Sequence, residues 1–452
     1  SVCMENILLI TTDSLRADHV GYHGYERDTT PFLDQLADHG SVFYNAYAHT
    51  GGTRFAFPSI LTSVYPMMHG GYKQISDDQT VISEAFSAAG YQTGGFHSNL
   101  YLSSNFGYDR GWDEFYDSKP NPSNATRMRS WLKKVVSDTP VYSLASKAYD
   151  FIESTSGVNV GSYIVPADET TDMALKFVEN LDDDHPAFIW VHYMDPHHPF
   201  LPPEEYQLLF RDEPISNRES IKLRQKLMQD PENVTDDELQ KQLDLYDAET
   251  RFNDDEIKRL IQETREELGD VTVAFTSDHG EHFLEHGYFS GAQLRNVKQH
   301  IPMLIEGGNW EDSGEYDELV AHVDLPATLV KHAGLNRPDN FYGHELQPLV
   351  GDEEWERDDI IGGIGIEGAP RYAVRTREWK YIWEKEGGNQ LFDLESDPDE
   401  QHNVIDEYPR VVEDLRSRIE GHRNRVRRTE EDVDVEMEEE VKERLRRLGY
   451  KE

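Results

Sequence analysis

Glu5–Asp13 reads ENILLITTD and Val271–Asp278 reads VTVAFTSD, two short runs that are apolar through the middle and end on an aspartate. Unbroken apolar runs of this length predict strands buried on both faces, as in a parallel sheet covered by helices. In open sheets of that kind, ligands bind outside the carboxyl ends of the strands. Asp13 and Asp278 are therefore expected at one rim of the sheet, with His279 and Gly280 following the second. Two carboxylates and an imidazole converging there suit a divalent metal. The plainer alternative is that each aspartate only caps the helix that follows.

Working outward, Thr30–His39 (TPFLDQLADH) has apolar residues at helical spacing, a proline in the first turn and Gly40 behind it. Val81–Ala89 followed by Gly90 repeats the pattern. A strand is predicted near Tyr91–His97, a helix near Ala167–Leu181, a strand at Ala187–Asp195 and a long acidic helix near Asp236–Leu268. This alternation predicts an α/β fold, a mostly parallel sheet between helices. Two polar stretches, Ser118–Tyr163 and Pro202–Pro231, break the rhythm and read as surface insertions, either roofing a cleft or serving as plain loops. From about Gly362 short strands take over (Arg371–Arg375, Lys380–Trp383, Gln390–Asp393), predicting a small antiparallel sheet. The expected plan is a main α/β domain over 1–361, a small α+β subdomain over 362–428, and a charged helix over 429–452 packed by Val433, Val441, Leu445 and Leu448.

At 452 residues and 37% hydrophobic, the chain can build a sizeable core. Its longest apolar runs are far shorter than the roughly 20 residues that span a bilayer, and no leader pattern opens it. A soluble protein is expected, cytoplasmic by default, although the start at Ser1 leaves a removed leader open. Asp and Glu outnumber Lys and Arg by 87 to 44, a net charge of -43 that disfavours nucleic acid and anionic lipid as partners. Such a surface reads as that of a halophile; a polycation partner is the alternative. With Cys3 as its single cysteine, the chain can form neither an internal disulfide nor a cysteine-rich metal site.

Seven segments along the chain carry a resemblance, in order. Asn6–Gly24 (NILLITTDSLRADHVGYHG), Thr30–Tyr47 and Pro58–Pro66 (PSILTSVYP) together resemble the amino-terminal signature of the sulfatase family, in the alkaline phosphatase superfamily. Asp195–Phe200 (DPHHPF) is similar to its Pro-His-x-Pro segment, Phe275–Gly287 (FTSDHGEHFLEHG) to its second metal motif, and Asp324–Gly334 (DLPATLVKHAG) to its Asp-Leu, Pro-Thr-Leu, Ala-Gly stretch. Ala373–Asp399 is similar to its carboxy-terminal subdomain. The resemblance implies an alkaline-phosphatase-like fold and a metal-dependent ester hydrolase or transferase.

At the nucleophile the chain departs from the family. The C-x-P-S-R segment falls on Thr53–Phe57 (TRFAF), so the cysteine that sulfatases oxidise to formylglycine is Thr53. Oxidation of a threonine gives a ketone, which speaks against formylglycine chemistry. Relatives in the superfamily, among them lipoteichoic-acid synthases, phosphoethanolamine transferases and nucleotide phosphodiesterases, use a threonine directly, its alkoxide stabilised by a divalent metal. By this resemblance one metal ion (Zn, Mn, Mg or Ca) is held by Asp13, Thr53, Asp278 and His279. Ser14 in place of a second aspartate, and His279 rather than asparagine, favour Zn or Mn over calcium.

The resemblance also places His197 near the leaving group and Arg54 beside the transferred group. A hydrogen-bonded loop histidine and an outward salt bridge are the plainer readings of those two. The family's Lys-x-His pair falls on Ser98 and Leu100, and a later cationic position near Ser290–Ala292, so those charges are missing. His286, Arg295 or Lys298 are possible substitutes, with His282 and His300 as further candidates. The expected activity is hydrolysis or transfer at a phosphate, or a sulfate, ester of a small molecule, glycan or lipid headgroup through a covalent threonine intermediate. The alternatives are a sulfuric ester hydrolase without formylglycine and a silent relative that binds a glycan or a partner. The sequence leaves oligomeric state open.

Overall fold

The computed structural model describes residues 5–68, 74–117, 165–311, 314–365 and 370–429. Its first ten strands are β1 (Asn6–Thr12), β2 (Ser41–Phe43), β3 (Ala46–Tyr47), β4 (Gln92–Phe96), β5 (Glu114–Tyr116), β6 (Ala187–Tyr193), β7 (Val271–Ser277), β8 (Met303–Glu306), β9 (Gly314–Tyr316) and β10 (Val320–Ala321). Eight of them form one sheet in the order β5-β4-β6-β1-β7-β8-β2-β9. From β5 to β7 every neighbour is parallel, and β8 runs antiparallel to both β7 and β2. The expected α/β fold with a mostly parallel sheet is what the chain forms.

Both faces of the central strands are buried, and the side-chain alternation divides them cleanly. Ile7 and Leu9 of β1, Phe188 and Trp190 of β6 and Ala274 of β7 enter one core, which also holds Ala56, Phe57 and Ile60 of α2 (Thr53–Thr62). Leu8 and Ile10, Ile189 and Val191, and Val273 and Phe275 enter the other. That second core packs on α1 (Pro31–His39), α4 (Ala167–Val178) and the 33-residue α6 (Asp236–Leu268), while α3 (Ile82–Ala88) and α7 (Asp324–His332) lie on the first. Thr235 and Glu238 close a capping box at the start of α6.

The stretch Pro202–Pro231, expected as an insertion of weak periodicity, carries a helix, α5 (Asn217–Gln229), capped by the Ser216 hydroxyl. Its inner face is Ser220, Leu223, Arg224 and Leu227, too polar to give a clear apolar stripe. Leu227 joins Phe200, Tyr246, Phe283 and Phe289 in a small satellite core.

The carboxy-terminal sheet has four antiparallel strands, β11 (Ile360–Ile364), β12 (Arg371–Arg375), β13 (Trp379–Glu384) and β14 (Gln390–Asp393), covered by α8 (Pro409–Arg427). β11 starts before Gly362, so the change of grammar in the sequence falls inside a strand. This sheet is not separate from the main body: Val64, Met67 and Met68 share its core. Gly362 permits the docking, since a Cβ there would lie 1.6 Å from the carbonyl oxygen of His49. The insertion expected at Ser118–Tyr163 and the terminal helix expected from Thr429 lie outside the described residues, apart from Thr429 itself.

Candidate active site

The register of the three central strands builds the site. Thr12 of β1 pairs with Ser277 of β7 and with Tyr193 of β6. One residue further, Asp13 and Asp278 leave the sheet side by side, the amide of Asp278 donating to Thr12 O at 3.0 Å and that of Asp13 to Tyr193 O at 2.9 Å. Both carboxylates fall on the face that carries α2. Ser14, at φ +64°, turns back so that its hydroxyl donates to Asp13 Oδ1 (2.7 Å) and its amide to Asp278 Oδ1 (3.1 Å).

Thr53 is the first residue of α2, where the helix presents its positive end. Its hydroxyl lies 3.3 Å from Asp13 Oδ2 and 3.2 Å from His279 Nε2. Gly51, two residues before, permits this approach: a Cβ there would meet Gln293 O at 2.1 Å. His279 Nδ1 donates to Gly280 O at 2.8 Å, and since a carbonyl only accepts, Nε2 is left with its lone pair toward Thr53. His279 Nε2 is 3.8 Å from Asp13 Oδ1 and 3.6 Å from Asp278 Oδ2. Thus Asp13, Thr53, Asp278 and His279, far apart in the sequence, meet in one cluster.

Asp13 and Asp278 are both 0% exposed, and an uncompensated buried carboxylate costs several kcal/mol. Burial and the neighbouring charge of Asp13 push Asp278 well above the usual carboxylate range. For Asp13 burial acts in the same direction, but the imidazoles beside it, His197 foremost, outweigh it and hold its pKa well below that range. Burial, with the charge of Lys298, pushes His279 down to about 3, so it is neutral near pH 7. Asp278 Oδ2 and His192 Nε2 are buried without a hydrogen-bond partner. Asp13, His192 and Asp278 each offer a ligand atom, all within 4.8 Å of one another. Two crowded buried carboxylates, imidazole nitrogens and an orphaned carboxylate oxygen fit a divalent cation.

His192 was missed in the sequence because Ala187–Tyr193 reads as a plain buried strand. The available signal was parity: Phe188, Trp190 and His192 share one face, the face of Leu9 and Thr11. Asn99 was also missed; its amide donates to Asp13 Oδ2 at 3.3 Å while its own oxygen caps Tyr101.

His197 is 7% exposed in the segment after β6, its ring tilted 37° to that of His198 with centroids 4.4 Å apart, and its charge acts on Asp13. Arg54 lies over the Tyr101 ring at 5.3 Å. Lys298 is buried and paired with Glu281 at 3.0 Å. His286 bonds to Asp399 O, Arg295 to Gln390 and His300 to Tyr44 O, so these three are engaged away from the acidic cluster. His282 is fully buried, and burial with Lys298 nearby pushes it down to about 2. Ser98 accepts from the Val165 amide, and Leu100 lies in the core. The adjacent His198 is structural: Arg224 of α5 donates to its Nδ1 at 2.9 Å, so its Nε2 donates to Ser290 Oγ at 2.6 Å.

The sulfatase family model matches residues 5–335, and that of the carboxy-terminal region of N-sulphoglucosamine sulphohydrolase matches 284–425. An arylsulfatase of Clostridium perfringens is 26% identical over 449 residues, covering 91% of this chain and 92% of that protein. Among solved structures, the phosphonate monoester hydrolase of Agrobacterium radiobacter superposes with a TM-score of 0.72 at 19% identity, covering 93% of this chain and 96% of that one. BT4656, solved in complex with its substrate D-glucosamine-2-N,6-O-disulfate, superposes with a TM-score of 0.70 at 17% identity, covering 95% of this chain and 100% of that one.

Proposed function

This chain belongs to the sulfatase family, and from that premise we propose that it hydrolyses phosphate esters through a covalent intermediate on Thr53. The observation that carries the reading is the Thr53 hydroxyl, 3.3 Å from Asp13 Oδ2 and 3.2 Å from His279 Nε2, at the amino end of a helix. Asp13, Asp278, His279 and Thr53 would hold a divalent cation. Once bound, the cation would make the hydroxyl a stronger acid and neutralise charge on the transferred group.

The chain's own groups account for the rest. The Thr53 hydroxyl loses its proton to solvent, and Thr53 Oγ1 forms a bond to phosphorus. The bond from phosphorus to the leaving oxygen breaks, and that oxygen takes a proton from His197. His197, now deprotonated, draws a proton from the water that attacks phosphorus in the second step. Thr53 Oγ1 leaves and takes a proton back from solvent, restoring the hydroxyl. An alcohol in place of that water turns hydrolysis into transfer. The positive end of α2 favours the developing oxyanion, an effect of up to about 2 kcal/mol in partly buried settings.

A threonine favours phosphorus over sulfur for a chemical reason. A hydrated formylglycine expels sulfate through its second hydroxyl, whereas a threonine adduct must be discharged by attack at the transferred atom itself. The sulfate ester reading is the second, and what supports it is that the Clostridium relative is an arylsulfatase and that the substrate of BT4656 is a sulfated sugar. Parallel assays with an aryl phosphate, an aryl phosphodiester and an aryl sulfate, each with and without chelator, test this. The proposal expects chelator-sensitive turnover of a phosphate substrate exceeding that of the sulfate. Faster turnover of the sulfate would overturn it.

A further inference from the structure

We propose that His192 is an additional ligand of the cation at this site, giving it a second imidazole nitrogen that tunes it toward Zn2+ or Mn2+ and away from Ca2+. The inference rests on the reading above in one respect, that a cation binds beside Thr53.

The argument begins with the sheet. Thr11 and His192 are a register pair on β1 and β6, on the α2 face, one turn of the pleat before Asp13. His192 Nε2 lies 3.8 Å from Asp13 Oδ2, too long for a hydrogen bond yet close enough for both atoms to reach one ion. The side chain is 0% exposed, and the Nε2 atom has no partner. A buried polar nitrogen left unpaired costs about 1–3 kcal/mol, and a bound cation removes that cost.

The other nitrogen is already provided for. His192 Nδ1 lies 3.0 Å from Thr11 Oγ1, which accepts from Trp190 Nε1 at 3.0 Å and can pass its own proton to Val191 O. In the tautomer the proposal requires, Thr11 Oγ1 takes the Nδ1 proton and the Nε2 lone pair faces the acids. This repeats at His279, where Gly280 O holds Nδ1. Metal-binding histidines are oriented in this way by an acceptor on the far nitrogen. Phe57 of α2 packs edge-on against the imidazole, ring centroids 4.8 Å apart.

The consequence is selectivity. Calcium takes about six to eight oxygen ligands, whereas imidazole suits Zn, Cu, Fe and Ni. Asp13, Asp278 and Thr53 supply oxygen; His279 and His192 would supply two nitrogens.

The test is calorimetric titration of the metal-stripped full chain with Zn2+ and separately with Ca2+, for wild type, His192→Asn and His192→Phe. Both variants are expected to bind Zn2+ more weakly by at least about ten-fold, with Ca2+ binding unchanged. In the Co2+-loaded protein the visible absorption is expected to shift in the variants. Unchanged Zn2+ affinity in folded variants, checked by near-UV circular dichroism, overturns the inference. Should neither variant fold, Thr11→Val decides: it keeps the imidazole but removes its orienting oxygen, and Zn2+ binding as tight as wild type contradicts the proposal. If wild type binds no divalent ion, the functional reading itself fails. If wild type binds and the variants match it, only the role of His192 fails.

Discussion

His197 stands in the segment that leaves β6, where its charge lowers the pKa of Asp13. As a general acid its value depends on how badly the leaving oxygen needs a proton. His197→Ala is therefore expected to lower kcat/KM, which reads only formation of the Thr53 adduct, by about 10²–10⁴-fold for an alkyl phosphate while leaving that of a nitrophenyl phosphate, whose leaving group needs no proton, much less affected. Steady-state kinetics on the two substrates checks this, and an equal loss on both contradicts the acid role. At this scale the sequence was legible where a residue type interrupted a pattern. Asp13 and Asp278 end apolar runs, and Thr53 stands where the family has cysteine. His192 and Asn99 broke no pattern. The first sits inside a strand and the second inside a loop, and only the register of β6 on β1 brings His192 beside Asp13.

Helix α6 shows what one element does for another. Thr30 gives α1 no side-chain cap; instead Asp254 of α6 accepts from the amides of Phe32 (2.8 Å) and Leu33 (2.9 Å). Burial pushes the Asp254 carboxyl from 3.8 up to about 7, against the pull of those two donors. The folded chain thus keeps a proton that the unfolded chain has released. This group's contribution to stability is full below its unfolded value of 3.8 and is lost as pH rises through about 7. Urea unfolding of wild type against Asp254→Asn is expected to show the wild type losing ground between about pH 4 and 7, then levelling off. A wild type that gains on the variant as pH rises would contradict the assignment. Elements with strong periodicity were legible: α6 matches its predicted span, Asp236–Leu268, and β7 matches the run Val271–Ser277. α5 was not, because Ser220 and Arg224 complete its buried face and its partner is the polar ring of His198.

Across the whole molecule a net charge of -43 sets the dominant condition. Fixed ion pairs such as Arg16 with Asp18 and Glu285, or Lys380 with Glu400, offset only part of the excess. Self-repulsion is screened within about 10 Å at 0.1 M salt and about 3 Å at 1 M. The thermal midpoint is expected to climb steadily as NaCl is raised from low concentration to 1 M and beyond, measured by circular dichroism at fixed pH. A midpoint that falls or stays flat over that range would show that repulsion does not limit stability. Composition made this legible, but not how the small sheet joins the main body. That junction depends on Gly362 lying against the His49 carbonyl, a long-range contact that no local pattern announces.

The central claim is that a bond forms between the Thr53 oxygen and the transferred group. Its most direct test is rapid acid quench during turnover of an aryl phosphate, followed by proteolysis and mass spectrometry of the peptide containing Thr53. The account predicts a phosphorylated threonine at that position, absent after chelation and absent in Thr53→Ala. Turnover that proceeds with Thr53 unmodified, or that persists in Thr53→Ala, would contradict it.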